Sequence, residues 1–229
     1  MTSAPVFKIG GLSIPGQPLI VANDQFLAFP SADAFDGIIG INILRSMAFQ
    51  WDFKHQLLTI YHPGRLSSSS LQQIGFVSPS TLAITEDARN HSFWYASIRM
   101  TNGFVIAEQP LYIDTGANST TIPYPMAQHL GLKPYSQHSL VTLYGSETQK
   151  VANVEAIQLG SLMLSDTPVL IRAASAKNQT GLLGLNILSH FRVLMDFPAK
   201  KMYLQPNTTA AVPAITIGPT PTAPAPPAK

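Results

Sequence analysis

Cysteine is missing altogether from this chain of 229 residues. Disulfides, thiolate metal sites and a cysteine nucleophile are thereby excluded, and the redox compartment is left open. Charge is scarce as well: Asp, Glu, Lys and Arg make up 11% of the residues, and the formal net charge is only +2 with no basic cluster. A nucleic-acid surface needs a concentrated positive patch, so that class is set aside. No apolar run approaches the roughly 20 residues that cross a bilayer as a helix. Residues 1–11 lack the charged start and apolar stretch of a signal peptide. The histidines (His55, His62, His91, His129, His138 and His190) show no ligand spacing of the kind that puts two on one helix face. Neither a metal nor a cofactor is expected. Serines are plentiful, but no Gly-x-Ser-x-Gly elbow is among them.

What the chain has in quantity is hydrophobic residues, 45% of the total, cut into short runs by 15 glycines and 19 prolines. Short β-prone runs between such residues read as strands, so the expected class is all-β with few short helices. Strands are expected at Ile74–Val77, Thr81–Thr85 and Phe93–Ile98, followed by a hairpin through Asn102-Gly103, a strong turn signal. Pro125–Leu130 reads as a short helix stopped by Gly131. Two breaks stand out. The polar run from Gly64 to Ser70 reads as a connection, with a linker over 63–71, and residues 206–229, rich in Pro, Thr and Ala, read as an extended tail.

Between these breaks lies an internal repeat. Gly37-Ile38-Ile39-Gly40-Ile41-Asn42-Ile43-Leu44 returns as Gly181-Leu182-Leu183-Gly184-Leu185-Asn186-Ile187-Leu188, 144 positions later. The same offset carries Trp51-Asp52-Phe53 onto Met195-Asp196-Phe197 and Leu58-Thr59-Ile60 onto Met202-Tyr203-Leu204. Upstream, Phe7-Lys8-Ile9-Gly10-Gly11-Leu12 echoes Ile157-Gln158-Leu159-Gly160-Ser161-Leu162, 150 positions later. Each copy reads as a strand hairpin, an apolar-apolar-Gly segment, a short helix and a strand pair around Asp-Phe. Asp52 and Asp196 are expected to be turn and strand-end residues. The two units are 1–62, the second half of a lobe, and 72–205, a complete one.

The complete copy alone contains Leu111-Tyr112-Ile113-Asp114-Thr115-Gly116-Ala117. An apolar strand here ends in a carboxylate held in a turn of small residues, although aspartate is a poor strand former and is rarely buried without partners. Thr115 offers a hydroxyl to lock the turn, and Gly116 permits a tight backbone and close approach of another segment. This stretch resembles the signature of the aspartic proteases, both pepsin-like and retropepsin-like: apolar-apolar-Asp-Thr/Ser-Gly-Ala/Ser. Leu130-Gly131-Leu132 is similar to a retropepsin feature, and the Gly184 segment resembles the apolar-apolar-Gly element that passes beneath the catalytic loop of each lobe. Val141–Ser146 and Lys150–Val154 form two strand-like arms where such enzymes carry a flap, and Tyr144-Gly145-Ser146 resembles a flap tip.

The resemblance implies an acid-protease-like closed β lobe and aspartic-type endopeptidase activity. In that chemistry two carboxylates share one proton, one activating a water and the other protonating the peptide carbonyl oxygen. Asp114 is the candidate catalytic residue, with Thr115, Gly116 and Ala117 forming its loop and Tyr144, Gly145 and Ser146 the substrate-binding flap. Asp24, Asp33 and Asp36 lack a following Thr/Ser-Gly, so residues 1–62 bring no second motif. The partners implied are a peptide or protein substrate and a second lobe or second copy of the chain to complete the pair. The half-lobe points to an upstream segment rather than to a symmetric dimer, and with a leader upstream the location would be periplasmic or secreted. The alternative is a retropepsin-like binding or scaffold domain without catalysis. Four triplets fit the Asn-glycosylation pattern, at Asn90, Asn118, Asn178 and Asn207; one lies inside the candidate loop, and no role is assigned to them.

Overall fold

The computed structural model describes residues 2–21, 37–62, 66–88, 93–142, 145–176 and 179–207, without the side chains of residues 2–4, 17, 140–142 and 145–146. In order, the strands are β1 (Thr2–Ile9), β2 (Leu12–Leu19), β3 (Ala48–Asp52), β4 (Leu57–Tyr61), β5 (Ser80–Ala83), β6 (Thr85–Glu86), β7 (Trp94–Asn102) and β8 (Val105–Ile113). They continue as β9 (Thr121–Ile122), β10 (Ser136–Thr142), β11 (Gly145–Leu159), β12 (Leu162–Ile171), β13 (Gly181–Leu183), β14 (Phe191–Asp196) and β15 (Lys201–Pro206). Among the described residues four short helices, α1 (Ile41–Leu44), α2 (Ser68–Gln73), α3 (Tyr124–His129) and α4 (Leu185–Leu188), interrupt them. The protein is all-β, as its punctuated apolar runs predict.

Strands β11, β12, β9, β13, β8 and β7 neighbour one another in that order, and β7 returns to pair with β11. The sheet therefore closes into a six-stranded barrel. Closure removes sheet edges, and alternation along β7 sends Trp94, Ala96, Ile98 and Met100 inward. The β10–β11 hairpin stands out from the barrel, since β10 pairs only with β11.

A second sheet of five antiparallel strands, β4-β3-β14-β15-β5, lies across the two repeat units. Phe49, Val193, Met195, Met202 and Leu204 pack from it into the core shared with the barrel. Its other face buries Ala48, Leu194 and Tyr203 beneath Leu71 of α2 and Phe76. The register at the centre of this sheet follows the repeat. Gln50 pairs with Leu194, and these two are the same position of the two copies, again 144 apart. Pairing Ala48 with Asp196 and Asp52 with Arg192 makes the junction self-complementary, as across a two-fold axis.

The copies agree in backbone detail. The β1–β2 turn has Gly10 at φ 54° and the β11–β12 turn has Gly160 at φ 63°. Gln56 and Lys200, non-glycine residues at φ 54° and 55°, occupy matching turns. In those turns Asp52 accepts the His55 N–H and Asp196 accepts the Ala199 N–H, so both aspartates are turn residues as expected. The first copy adds His55 Nδ1 at 2.9 Å from Asp52 Oδ2.

Two local expectations fail. Ile74–Val77 is not a strand: Gly75 at φ 82° and Ser78 at φ 51° fold this run into turns, and Arg192 holds it by donating to the Ile74 and Gly75 carbonyls. The polar connection is also more ordered than its composition suggests. Within the expected linker 63–71, Ser67 and Ser70 cap each other's backbone amides and start α2, whose Leu71 is buried. Residues 63–65, 22–36 and 208–229 lie outside the described residues, and with them Asp24, Asp33, Asp36 and nearly all of the expected tail.

Candidate active site

Strand β8 carries the chain to Asp114 because Leu111 is fully buried and β8 runs parallel to β13, with Leu111 opposite Gly181 and Ile113 opposite Leu183. A parallel pair of this kind positions the strand end. The Asp114 N–H donates to the Leu183 carbonyl at 3.1 Å, one step past the last paired residue. The turn then closes on itself, with the Ala117 N–H donating to the Asp114 carbonyl at 3.3 Å. The Gly116 N–H donates to Asp114 Oδ1 at 2.9 Å. The carboxylate is half-buried and turned so that a backbone amide neutralises part of its charge.

Gly116 is needed for space rather than for an unusual φ. A Cβ there would lie 3.2 Å from Asp114 Oδ1, the atom its own N–H holds. Thr115 departs from expectation: its hydroxyl has no hydrogen-bond partner among the described residues. The lock comes from Thr120. Its buried Oγ1 accepts the Gly184 N–H at 3.0 Å, and its own N–H donates to Asn186 Oδ1 at 2.7 Å.

Gly184 passes directly under the loop. A Cβ at this position would sit 2.5 Å from the Ser119 carbonyl carbon and 2.9 Å from the Ala117 oxygen, and neither backbone atom can move aside cheaply. Beyond Gly184, the Leu185 N–H donates to the Ala117 carbonyl and the Asn186 N–H to that of Asn118, at 2.8 and 3.0 Å. Asn186 Nδ2 also reaches the Pro168 carbonyl at 3.1 Å. The loop is therefore held from below by three successive residues, Gly184, Leu185 and Asn186, with every contact to backbone or to a buried polar atom. The expected buttress is present. The residues that sequence reasoning missed are Thr120 and Asn186, and the recurrence of Asn at Asn42 and Asn186 was the signal that could have revealed the second.

Beside the loop, Tyr112 donates to Asp87 and stacks on Phe93, with ring centroids 4.9 Å apart. Of the expected flap residues, Tyr144 lies outside the described residues. Gly145 and Ser146 open β11, paired with Thr142 and Val141 of β10, so the two arms form the hairpin that the sequence implies. No group of three or more His, Asp or Glu side chains capable of holding a metal occurs among the described residues.

Residues 106–190, which include the whole of this loop and its buttress, match the family model described as "gag-polyprotein putative aspartyl protease". Over that stretch, 85 of the 229 residues, the chain is similar to aspartyl proteases of this kind. A retropepsin-like aspartic protease from Rickettsia conorii aligns with 54% of this chain and 87% of its own, at 18% identity and a TM-score of 0.40. No curated protein matches the chain. No helix among the described residues is long and apolar enough to cross a membrane.

Proposed function

We propose that the protein is an aspartic-type endopeptidase to which this chain contributes Asp114. The observation that carries the reading is the Asp114 loop itself. It presents one carboxylate, half-open to solvent, on a backbone fixed from below by Gly184, Leu185 and Asn186. Such a carboxylate is preorganised for acid–base work on a water molecule, which needs position more than it needs flexibility.

One Asp cannot be both the base that activates the water and the acid that protonates the carbonyl oxygen. The reaction needs a second carboxylate close enough to share a proton, so that the pair titrates as a unit. In this reading the partner loop faces Asp114 across the site, and the β10–β11 hairpin folds over bound peptide and excludes water. Peptide would lie extended between hairpin and loop.

The test is cleavage of an unstructured protein substrate from acid to neutral pH, with and without a statine-type transition-state inhibitor. Inhibitor-sensitive cleavage that disappears in Asp114→Asn is the expected result for the completed enzyme. The described residues contain a single Asp-Thr-Gly. A non-catalytic peptide-binding domain would also have that feature; it would bind the inhibitor or the peptide and cleave nothing under any of these conditions.

A further inference from the structure

Three buried side-chain polar atoms have no hydrogen-bond partner among the described residues: Trp94 Nε1, Gln149 Oε1 and Gln205 Oε1. Trp94 points into the barrel core, edge-on to Phe197, and Gln205 lies opposite Arg192 in the five-stranded sheet. Gln149 is placed differently. It lies on β11 where the β10–β11 hairpin leaves the barrel, one residue beyond the Lys150–Ile171 pair and directly opposite His138, and it is 3% exposed. A desolvated carboxamide oxygen without a donor is costly, and a fold that keeps one calls for an explanation.

Strand register fixes the side that Gln149 faces. Val151, Leu170, Thr121, Leu182 and Tyr112 are successive partners across β11, β12, β9, β13 and β8, so their side chains share one face of the sheet. Their strand neighbours Ala152, Ile171, Ile122, Leu183 and Leu111 all pack in the barrel core, so this mostly apolar row points the other way. Asp114 continues the alternation of β8 two residues past Tyr112, on the side of the row. The pairings make β11 run in the same sense as β8. Asp114 therefore lies one step past the row and Gln149 one step before it, each step about 7 Å along its strand. The row leads from Asp114 across β13, β9 and β12 to the base of the hairpin. Its four strand spacings total roughly 19 Å, the length of about six extended residues.

We propose that Gln149 is a specificity-determining residue that pairs with a side-chain carboxamide, Gln or Asn, of a peptide lying along this row. The inference rests on the reading above for peptide as the ligand, and on register, burial and hydrogen bonding for the residue. A second carboxamide gives an N–H to Oε1 and offers an oxygen to Nε2, so the two groups pair reciprocally; a carboxylate or an apolar side chain cannot do this. Oε1 is covered, so the hairpin has to move before a peptide reaches it, which is the motion the proposed function already assigns to it. Once the hairpin lifts, the peptide that supplies the missing partner is favoured over one of the same shape that does not.

The experiment titrates capped alanine hexapeptides, with a single Gln walked through the positions, into the native protein by NMR, beside the same set with Met in place of Gln. Met keeps the length of Gln and removes only the carboxamide. The tightest Gln peptide should bind about tenfold more tightly than any Met peptide and should shift the side-chain amide signals of Gln149. In Gln149→Met the ratio should invert to favour Met. That variant should also melt at or above the native temperature, because an unpaired polar group has been replaced by an apolar one. Asp114→Asn should leave the preference intact. Equal binding of the two sets, or binding of neither, would overturn the proposal. So would a lower melting temperature for Gln149→Met, which would show that the carboxamide serves the fold. A preference for Gln with no cleavage by the completed enzyme would leave this proposal standing and remove the endopeptidase reading; cleavage indifferent to Gln and Met would remove this proposal alone.

Discussion

At the scale of single residues, Gly184 and the pair Thr120–Asn186 hold the site. Gly184→Val would drive a branched side chain into the carbonyls of Ala117 and Ser119. Because backbone on both sides is fixed by hydrogen bonds, the lobe should lose about 3 kcal/mol or more, seen as a lower melting temperature. An unchanged melting temperature would remove the buttress. Asn186→Ala leaves the buried Thr120 N–H without an acceptor, and a loss of about 1–3 kcal/mol is expected. Asp114, Gly116 and Gly184 were legible in the sequence, because an acidic residue set among small ones at a strand end contributes nothing to packing. Thr120 was not, since its partner amide lies 64 residues away and no local pattern records it. Thr115 shows the converse: a residue type that fits the turn leaves its hydroxyl without a partner among the described residues.

At the scale of elements, the strands followed from periodicity and the repeat, while the connection between the units did not. Serine is an indifferent helix former, so Ser67–Ser70 reads as linker until the reciprocal capping of Ser67 and Ser70 is seen. Ile74–Val77 is apolar enough for a strand, but its burial under Arg192 and the turns at Gly75 and Ser78 are decided by tertiary contacts. The β3–β4 turn carries a pH dependence of its own. Burial alone would raise the Asp52 carboxyl, but the His55 side-chain and backbone hydrogen bonds, with the charges of His55 and Arg192, together hold it below its ordinary 3.8. A carboxyl depressed on folding stabilises fully above its unfolded value, and that contribution fades as pH falls through the folded one. The melting-temperature gap between the native protein and Asp52→Asn should therefore be widest near neutrality and narrow in acid; a gap that widens in acid would contradict the assignment. Among the described residues β10 pairs with β11 alone, so the β10–β11 hairpin should exchange amide hydrogens faster than the barrel strands and slow when a statine-type inhibitor is bound.

At the scale of the whole molecule, the decisive feature is the junction where Gln50 faces Leu194. The sequence displays two copies with a constant offset, but an offset carries no information about which strands pair. That the copies meet back to back through β3 and β14 is visible only in three dimensions. The absence of cysteine makes the junction easy to probe, since any cysteine introduced is the only one present. Gln50→Cys combined with Leu194→Cys should oxidise to an intrachain disulfide in a monomer, because directly opposed strand residues bring their Cβ atoms within reach. Leu194→Cys alone should give no interchain disulfide, whereas a homodimer that paired β14 with a second β14 in this same register would place that position against itself.

The most direct measurement of the central claim is inhibitor-sensitive peptide cleavage by the chain held as a verified monomer, beside the same chain supplied with a second Asp-Thr/Ser-Gly loop. The account predicts a silent monomer and activity only with the second loop present, lost in Asp114→Asn. Cleavage by the monomer alone that depends on Asp114 would contradict the shared-proton dyad on which the account rests.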